Sequence, residues 1–208
     1  MSNTLVDPDF AERLDVTYSD VFARERGWEY EDMEEPLEDL TSFFRHLPGI
    51  RVLDVGCGWA RYVYRFISHG LDYVGIDHSV EMINAACETC PNERFELMSY
   101  RYLTFKPESF DGLWCCCSFS GEPKHNMPTV LQGLKEVLVP GGAMMVTMPA
   151  VYRSHEQMIK DENGDPLLYH SHYELRELTE LLESTGFTTI ETNPQWQHGA
   201  MSVLVQKP

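Results

Sequence analysis

The stretch Arg51-Val52-Leu53-Asp54-Val55-Gly56-Cys57-Gly58-Trp59-Ala60-Arg61 passes from an apolar run carrying one carboxylate into a two-glycine turn, and then into a helical pattern. Val52, Leu53 and Val55 read as a short buried strand. Gly56 and Gly58 let the backbone turn tightly and meet a ligand with no Cβ in the way. The helix expected from Trp59 to Ser68 would present free N–H groups at its start and stop at Gly70. What the stretch lacks narrows the ligand. A dinucleotide fingerprint has a third glycine at the sixth position of G-x-G-x-x-G, and this chain has Arg61 there. Pyrophosphate binding, and with it a dehydrogenase, is disfavoured. Asp54 suits a ligand bearing an ammonium group.

A second buried strand, Tyr73-Val74-Gly75-Ile76-Asp77, ends in an acid nineteen residues after Gly58. That is the spacing of one βαβ unit, with the acid placed to accept from both ribose hydroxyls of a nucleoside. Together with Phe110-Asp111-Gly112-Leu113-Trp114 and Leu138-Val139-Pro140-Gly141-Gly142, these stretches resemble the class I S-adenosylmethionine-dependent methyltransferase family. The resemblance covers roughly residues 45–148, and more loosely 168–206.

The resemblance implies an α/β fold: a Rossmann-like, seven-stranded, mostly parallel sheet with helices on both faces and the last strand antiparallel. It implies S-adenosyl-L-methionine as cofactor, held by Tyr18, Asp54, Gly56, Cys57, Gly58, Asp77, His78, Met82, Ser99, Tyr100, Arg101 and Cys115. Met82 would pack near the adenine, or serve as ordinary core. Ala60 stands where many members have a third glycine, and a small residue is expected to be harmless there. Ser99 stands where many relatives have an acid for the adenine amino group, which shifts adenine recognition toward the backbone of Tyr100.

Length and composition set bounds. A chain of 208 residues with 43% hydrophobic side chains can bury one α/β core, so a single domain over 1–208 is expected. A formal charge of −17 argues against a nucleic-acid substrate, whose phosphates would be repelled. No apolar run has the length of a membrane span, and the N-terminus does not read as a signal peptide, so a cytoplasmic protein is expected, with no membrane partner. Oligomeric state is left open. Cys87 and Cys90 form a C-x-x-C with no second ligand pair, and Cys115, Cys116 and Cys117 lie at a strand end where successive side chains alternate faces. No metal site is expected. The three read as small core residues, one of them lining the cofactor pocket.

In chain order, residues 1–44 form an acidic, aromatic segment that reads as a helical cap or as a lid. By resemblance Tyr18 is the lid aromatic. Residues 36–47 read as an amphipathic helix. Residues 45–148 form the cofactor-binding core, with Ser79 as N-cap of its second helix. A helix from Met127 to Val139 precedes a strand at 143–148. Residues 149–170 read as a loop-like, substrate-facing insertion. Residues 171–208 hold a helix opened by a capping box, with Ser171 as N-cap and Glu174 at N3, and then strands at 187–192 and 201–206.

The sulfonium methyl is already a strong electrophile, so such an enzyme mainly aligns a nucleophile and excludes water. The loop after the fourth strand, Ser118-Phe119-Ser120-Gly121-Glu122-Pro123, has no Asn/Asp-Pro-Pro-aromatic run, and Gly121 stands where many small-molecule relatives carry a histidine. A base is needed only for a protonated acceptor. His125, His170 and His172 are the candidate bases, His125 and His170 being taken as the catalytic candidates, and Trp28, Tyr30, Ser118 and Tyr169 are expected to face the substrate. The reading is methyl transfer to a small molecule through an N, O or S nucleophile. Its rival is a catalytically silent subunit of the same fold that binds a partner protein.

Overall fold

A computed structural model describes residues 5–25, 37–194 and 199–208. Helix α1 (Pro8–Glu25) and helix α2 (Leu37–Arg45) precede strand β1 (Arg51–Val55), helix α3 (Val63–Ser68), strand β2 (Asp72–Asp77), helix α4 (Val80–Thr89) and strand β3 (Arg94–Leu97). Strand β4 (Phe110–Cys116), helix α5 (Met127–Val137), strand β5 (Leu138–Pro149), strands β6 (His155–Lys160) and β7 (Pro166–His172), helix α6 (Leu175–Ser184), and strands β8 (Thr188–Asn193) and β9 (Ala200–Gln206) follow.

Seven strands form one sheet in the order β3-β2-β1-β4-β5-β9-β8. The β1, β2, β3, β4 and β5 pairings are parallel, and β9 runs antiparallel to both β5 and β8. This is the sheet the sequence implied, with its last strand reversed. Period-two alternation sorts the side chains into two layers. Leu53, Val55, Leu113, Cys115 and Val146 face one way, packed with Val130, Leu131 and Leu134 of α5 and Leu178 and Leu182 of α6. Val52, Trp114, Met145 and Leu204 face the other way, against Phe43 of α2 and Val63 and Phe66 of α3. The Phe43, Phe66 and Tyr62 rings lie 5.4–6.0 Å from Trp114.

Three local expectations are corrected. The helix expected to open at Trp59 begins only at Val63, because Ala60 sits at φ +65. That left-handed conformation cannot join a right-handed helix and costs an L-residue about 1–2 kcal/mol, so alanine is not a free replacement for glycine there. The segment after β5 is not a loop: β6 and β7 make an antiparallel hairpin, whose turn is held by Asp161 Oδ1 accepting from the N–H groups of Asn163 and Asp165. The capping box at Ser171 does not form. Ser171 is buried at the end of β7, its Oγ donating to the carbonyl of Glu122 at 2.6 Å, and the N-cap of α6 is Glu174, without a side-chain cap. Ser79 does cap α4, accepting from Met82 N at 3.1 Å.

Helix α1 lies across α4 and β7. It thus covers the edge where β1, β2 and β4 end. Trp28 and Tyr30 lie outside the described residues. Tyr18 lies within α1, but its side chain falls outside them too. No helix among the described residues is long and apolar enough to cross a membrane.

Candidate functional site

The neighbours of β1 are β2, the next strand in the chain, and β4, reached only after the chain has run outward to β3. Strand order reverses there, and in open α/β sheets the crevice beyond the strands' carboxyl ends at such a point is the ligand site. Here it is a cavity of about 180 Å³. Gly56 and Gly58 form one wall, Asp77, His78 and Met82 the next, and Met98 and Tyr100 the adenine side of the reading above. Cys116, Cys117 and Ser118 close it from β4, and Asp15 and Ser19 from α1.

Gly56 has φ +71 and Gly58 φ +53, both in the left-handed region. At Gly56 space matters as well, since a Cβ would stand 2.8 Å from Cβ and Oγ of Ser118. Ser118 is itself tied down, its Oγ donating to the carbonyl of Val55. Asp77 accepts from Gly58 N at 3.0 Å through Oδ2 and from Ser79 N at 2.9 Å through Oδ1. Burial raises its pKa, and His78 and these backbone bonds pull the other way.

The roof is acidic. His78 Nε2 lies 3.4 Å from Asp15 Oδ2, and Nδ1 lies 3.9 Å from Glu12 Oε1, too far for a hydrogen bond. Burial opposes a charge on His78, but the carboxylates of Glu12, Asp15 and Asp77 outweigh it and its pKa is raised. Burial lifts Asp15 as well, partly offset by His78 and Arg101. Ser79 Oγ donates to Asp20 at 2.5 Å, and Ser99 Oγ donates to Glu12. Arg101, with a side chain 4% exposed, donates from Nε to Glu122 at 2.6 Å and from Nη1 to the Pro8 carbonyl and Glu12.

Gly56, Gly58, Asp77, His78, Met82, Tyr100 and Ser118 therefore meet at one cavity. Others implied by the resemblance do not line it. Asp54 falls on the Val52–Trp114 layer of β1, where its Oδ2 accepts from Tyr73 Oη at 2.8 Å. Burial pushes its pKa up to about 8, so it is not a ready anion for an ammonium group. Cys57 is buried against Gly75, and Cys115 is wholly buried in the α5 layer, its alternation having taken it away from the crevice. Ser99 borders a neighbouring cavity of about 480 Å³ between α1 and β3, and Arg101 braces α1 against Glu122. His125 is exposed before α5, and His170 faces His172 on the hairpin, so neither reaches the cavity. Tyr169 is buried, its Oη donating to Glu156 at 2.5 Å.

Sequence reasoning missed Asp15, Ser19 and Met98, and of the three cysteines it gave one to the pocket, naming Cys115, where the cavity is lined by Cys116 and Cys117. Only the acids of α1 left a trace, and they resembled a solvated face. Strand alternation concealed the cysteines, because Cys117 leaves the strand at φ +55 and stays on the cavity beside Cys116.

Residues 52–142 match the methyltransferase domain family. The match runs from β1 to the start of β5, the part of the chain that supplies most of the cavity. Comparison with curated protein sequences found no match. Among solved structures, the fold is similar to that of 1,6-didemethyltoxoflavin-N1-methyltransferase from Burkholderia thailandensis, at 20% identity over 100% of this chain and 93% of that one, with TM-score 0.75. A SAM-dependent methyltransferase from Methanosarcina mazei is similar at 17% identity over 84% and 98%, with TM-score 0.67. The [4+2]-cyclase SpnF shares the fold at 17% identity over 87% and 86%, with TM-score 0.62.

Proposed function

We propose that the protein moves the methyl group of S-adenosylmethionine onto a nucleophilic atom of a small, neutral or cationic molecule. The observation that carries this reading is Asp77. Each of its carboxylate oxygens spends one acceptor site on a backbone N–H, which leaves further sites at the cavity for the two hydroxyls of a ribose. Beside it, a Cβ placed at Gly58 would meet nothing nearer than Met82 Sδ at 3.9 Å, so the turn offers open backbone to a ligand. The residues present fit the cofactor. Asp77 would hold the ribose, Met82 and Tyr100 would flank the adenine, and the Gly56–Gly58 backbone would carry the amino-acid end. When bound, the cofactor supplies an electrophilic methyl group.

The substrate class follows from the roof. Asp15 lines the cavity from α1, with Glu12 beside His78 and Asp20 accepting from Ser79, and the whole chain carries −17. Anionic substrates and nucleic acids are repelled by such a field, whereas a neutral or cationic molecule is not. The Burkholderia neighbour is named for a small acceptor, which supports the same class. In place of His125 and His170, Asp15 is the proton acceptor for a protonated nucleophile. It lines the cavity, its pKa is raised by burial, and its carboxylate occupies the room Gly121 leaves, 2.8 Å from where a Cβ would stand.

Calorimetry against S-adenosylhomocysteine and NADH tests the cofactor half: saturable binding of the first and none of the second is expected, and the reverse would overturn the reading. Incubation with metabolite extract and methyl-labelled cofactor tests the transfer. Label in a small basic or neutral product is expected, and label confined to RNA would reject the substrate class.

A further inference from the structure

Three consecutive cysteines end β4, and the structure separates their fates. Cys115 is wholly buried in the core. Cys116 and Cys117 both line the cofactor cavity, Cys117 being exposed to it. This arrangement requires Cys117 to depart from strand geometry, which it does at φ +55, with its N–H held by the carbonyl and Oγ1 of Thr147 at 3.0 and 3.1 Å. The surroundings treat the two sulfurs unequally. Cys116 Sγ is 3.4 Å from Tyr62 Oη, and Cys117 Sγ is 3.7 Å from Thr147 Oγ1. The adjacent Cys116 thiol, helped by Thr147 and the charge of Arg61, brings the Cys117 thiol down to about 7, while the Cys117 neighbour and burial hold the Cys116 thiol well above its ordinary range. One sulfur is therefore a nucleophile and its neighbour a proton-bearing partner. Among the described residues no cluster of three His, Cys, Asp or Glu side chains could hold a metal ion, so the pair is not explained as part of a metal centre.

We propose that Cys116 and Cys117 are a peroxide-sensitive dithiol inside the cavity, Cys117 reacting first and Cys116 resolving it, and that the oxidised pair and the bound cofactor exclude each other. In the first step the Cys117 thiolate attacks one oxygen of hydrogen peroxide. The O–O bond breaks, Cys117 becomes a sulfenic acid, and the departing hydroxide takes a proton to become water. In the second step the Cys116 sulfur attacks the Cys117 sulfur, the S–O bond breaks as the S–S bond forms, and the thiol proton leaves with the hydroxide as a second water. Two thiols are oxidised and one peroxide is reduced. Adjacent Cα atoms lie about 3.8 Å apart, below the roughly 4.4 Å at which ordinary disulfides begin, so the bridge is strained and returns readily to the dithiol. The exclusion rests on the cofactor reading above, since both events compete for the same wall.

The test uses the full chain, treated with hydrogen peroxide and read by peptide mass spectrometry, with exposed Cys87 on α4 as internal reference. Expected is loss of two hydrogens from the peptide holding Cys115–Cys117, before Cys87 is oxidised, and reversal by dithiothreitol. Cys116→Ser should instead give a dimedone adduct at Cys117, and Cys117→Ser neither product. Oxidation of Cys87 first, or a dimedone adduct on Cys116, would overturn the dithiol. If the variants do not fold, substoichiometric iodoacetamide on the unaltered protein decides, with Cys117 expected to be labelled before Cys87 and the reverse order refuting the proposal. S-adenosylhomocysteine at ten times its Kd should slow the oxidation about tenfold. Binding without protection would refute the exclusion alone. Absence of binding by the reduced protein would refute the cofactor reading and the exclusion with it, while the mass result still decides the dithiol.

Discussion

Two walls of the cavity are built by different means. The wall from β1 and β2 is made of backbone: Gly56 and Gly58 turn in left-handed conformations, and Asp77 is gripped by two N–H groups at 2.9 and 3.0 Å. The wall from α1 is made of side chains, with Glu12, Asp15 and Asp20 reaching His78, Ser79, Ser99 and Arg101 across a helix-to-sheet gap. A backbone wall has one geometry and fails all at once when crowded. A side-chain wall depends on charge and can loosen while the fold persists. Substitutions on the two walls should therefore have different signatures.

The largest effect is expected at the strut that carries α1. Arg101 and Glu122 are 4% and 0% exposed, and removing one partner leaves a buried charge unpaired. Arg101→Met should cost about 3–5 kcal/mol in chemical denaturation, whereas the double variant Arg101→Met, Glu122→Gln should recover most of it. If the single variant is as stable as the parent, the strut does not support the α1 wall.

On the backbone wall, Gly56→Ala combines a left-handed alanine with a 2.8 Å approach to Ser118. A loss of about 2–4 kcal/mol is expected, seen as lost stability and lost binding of S-adenosylhomocysteine together. A stable variant with intact binding would mean that the turn has slack, and the contrast between the walls would fail.

The legible parts of this protein are those in which backbone chemistry writes itself into residue type. Glycines at 56 and 58, an acid ending β2 and a serine capping α4 each answer a local backbone demand, and the structure puts all of them where that demand predicts. The seven-stranded sheet with its last strand antiparallel followed from the resemblance rather than from spacing. Side chains expected at the cavity stand away from it where tertiary partners decide. Asp54 looked like a ligand contact, but the pleat turns it into the aromatic layer against Tyr73. Arg101 looked like a cofactor residue, but Glu122, distant in sequence, claims it. Strand β6 of the hairpin is mostly exposed and polar, so it showed no apolar alternation. Asp15 was legible only as one acid of a solvated face, since its position depends on the room Gly121 leaves for it.

A smaller effect, confined to binding, is expected at Asp77. Asp77→Ala should weaken S-adenosylhomocysteine by about 1–3 kcal/mol, roughly ten- to a hundredfold, through lost charge-assisted hydrogen bonds. Calorimetry on the folded variant measures it, and unchanged affinity would remove the ribose from this carboxylate.

The smallest effect is a pH dependence of the side-chain wall, and it has a definite sign. His78 has its pKa raised above the ordinary 6.5, with Glu12 and Asp15 of α1 and Asp77 of β2 facing it. A group raised in the folded state contributes stability that is complete below its unfolded pKa and is lost as pH climbs through the folded one. Asp15, also raised, works in the same direction, because its ionisation is disfavoured where it sits. Glu12 is lowered, so its contribution is lost only on acidification, outside this window. The docking of α1 should therefore weaken as pH rises from about 6.5, by on the order of 1 kcal/mol or less for these partly buried charges, while Gly56–Gly58 keep their protection. Hydrogen exchange on residues 8–25 and 52–58, followed from pH 6 to pH 9 and corrected for intrinsic rates, measures both walls in one experiment. His78→Gln should flatten the response of α1. If α1 instead gains protection as pH rises, or if both walls respond alike, the carboxylate–histidine contact does not hold the roof.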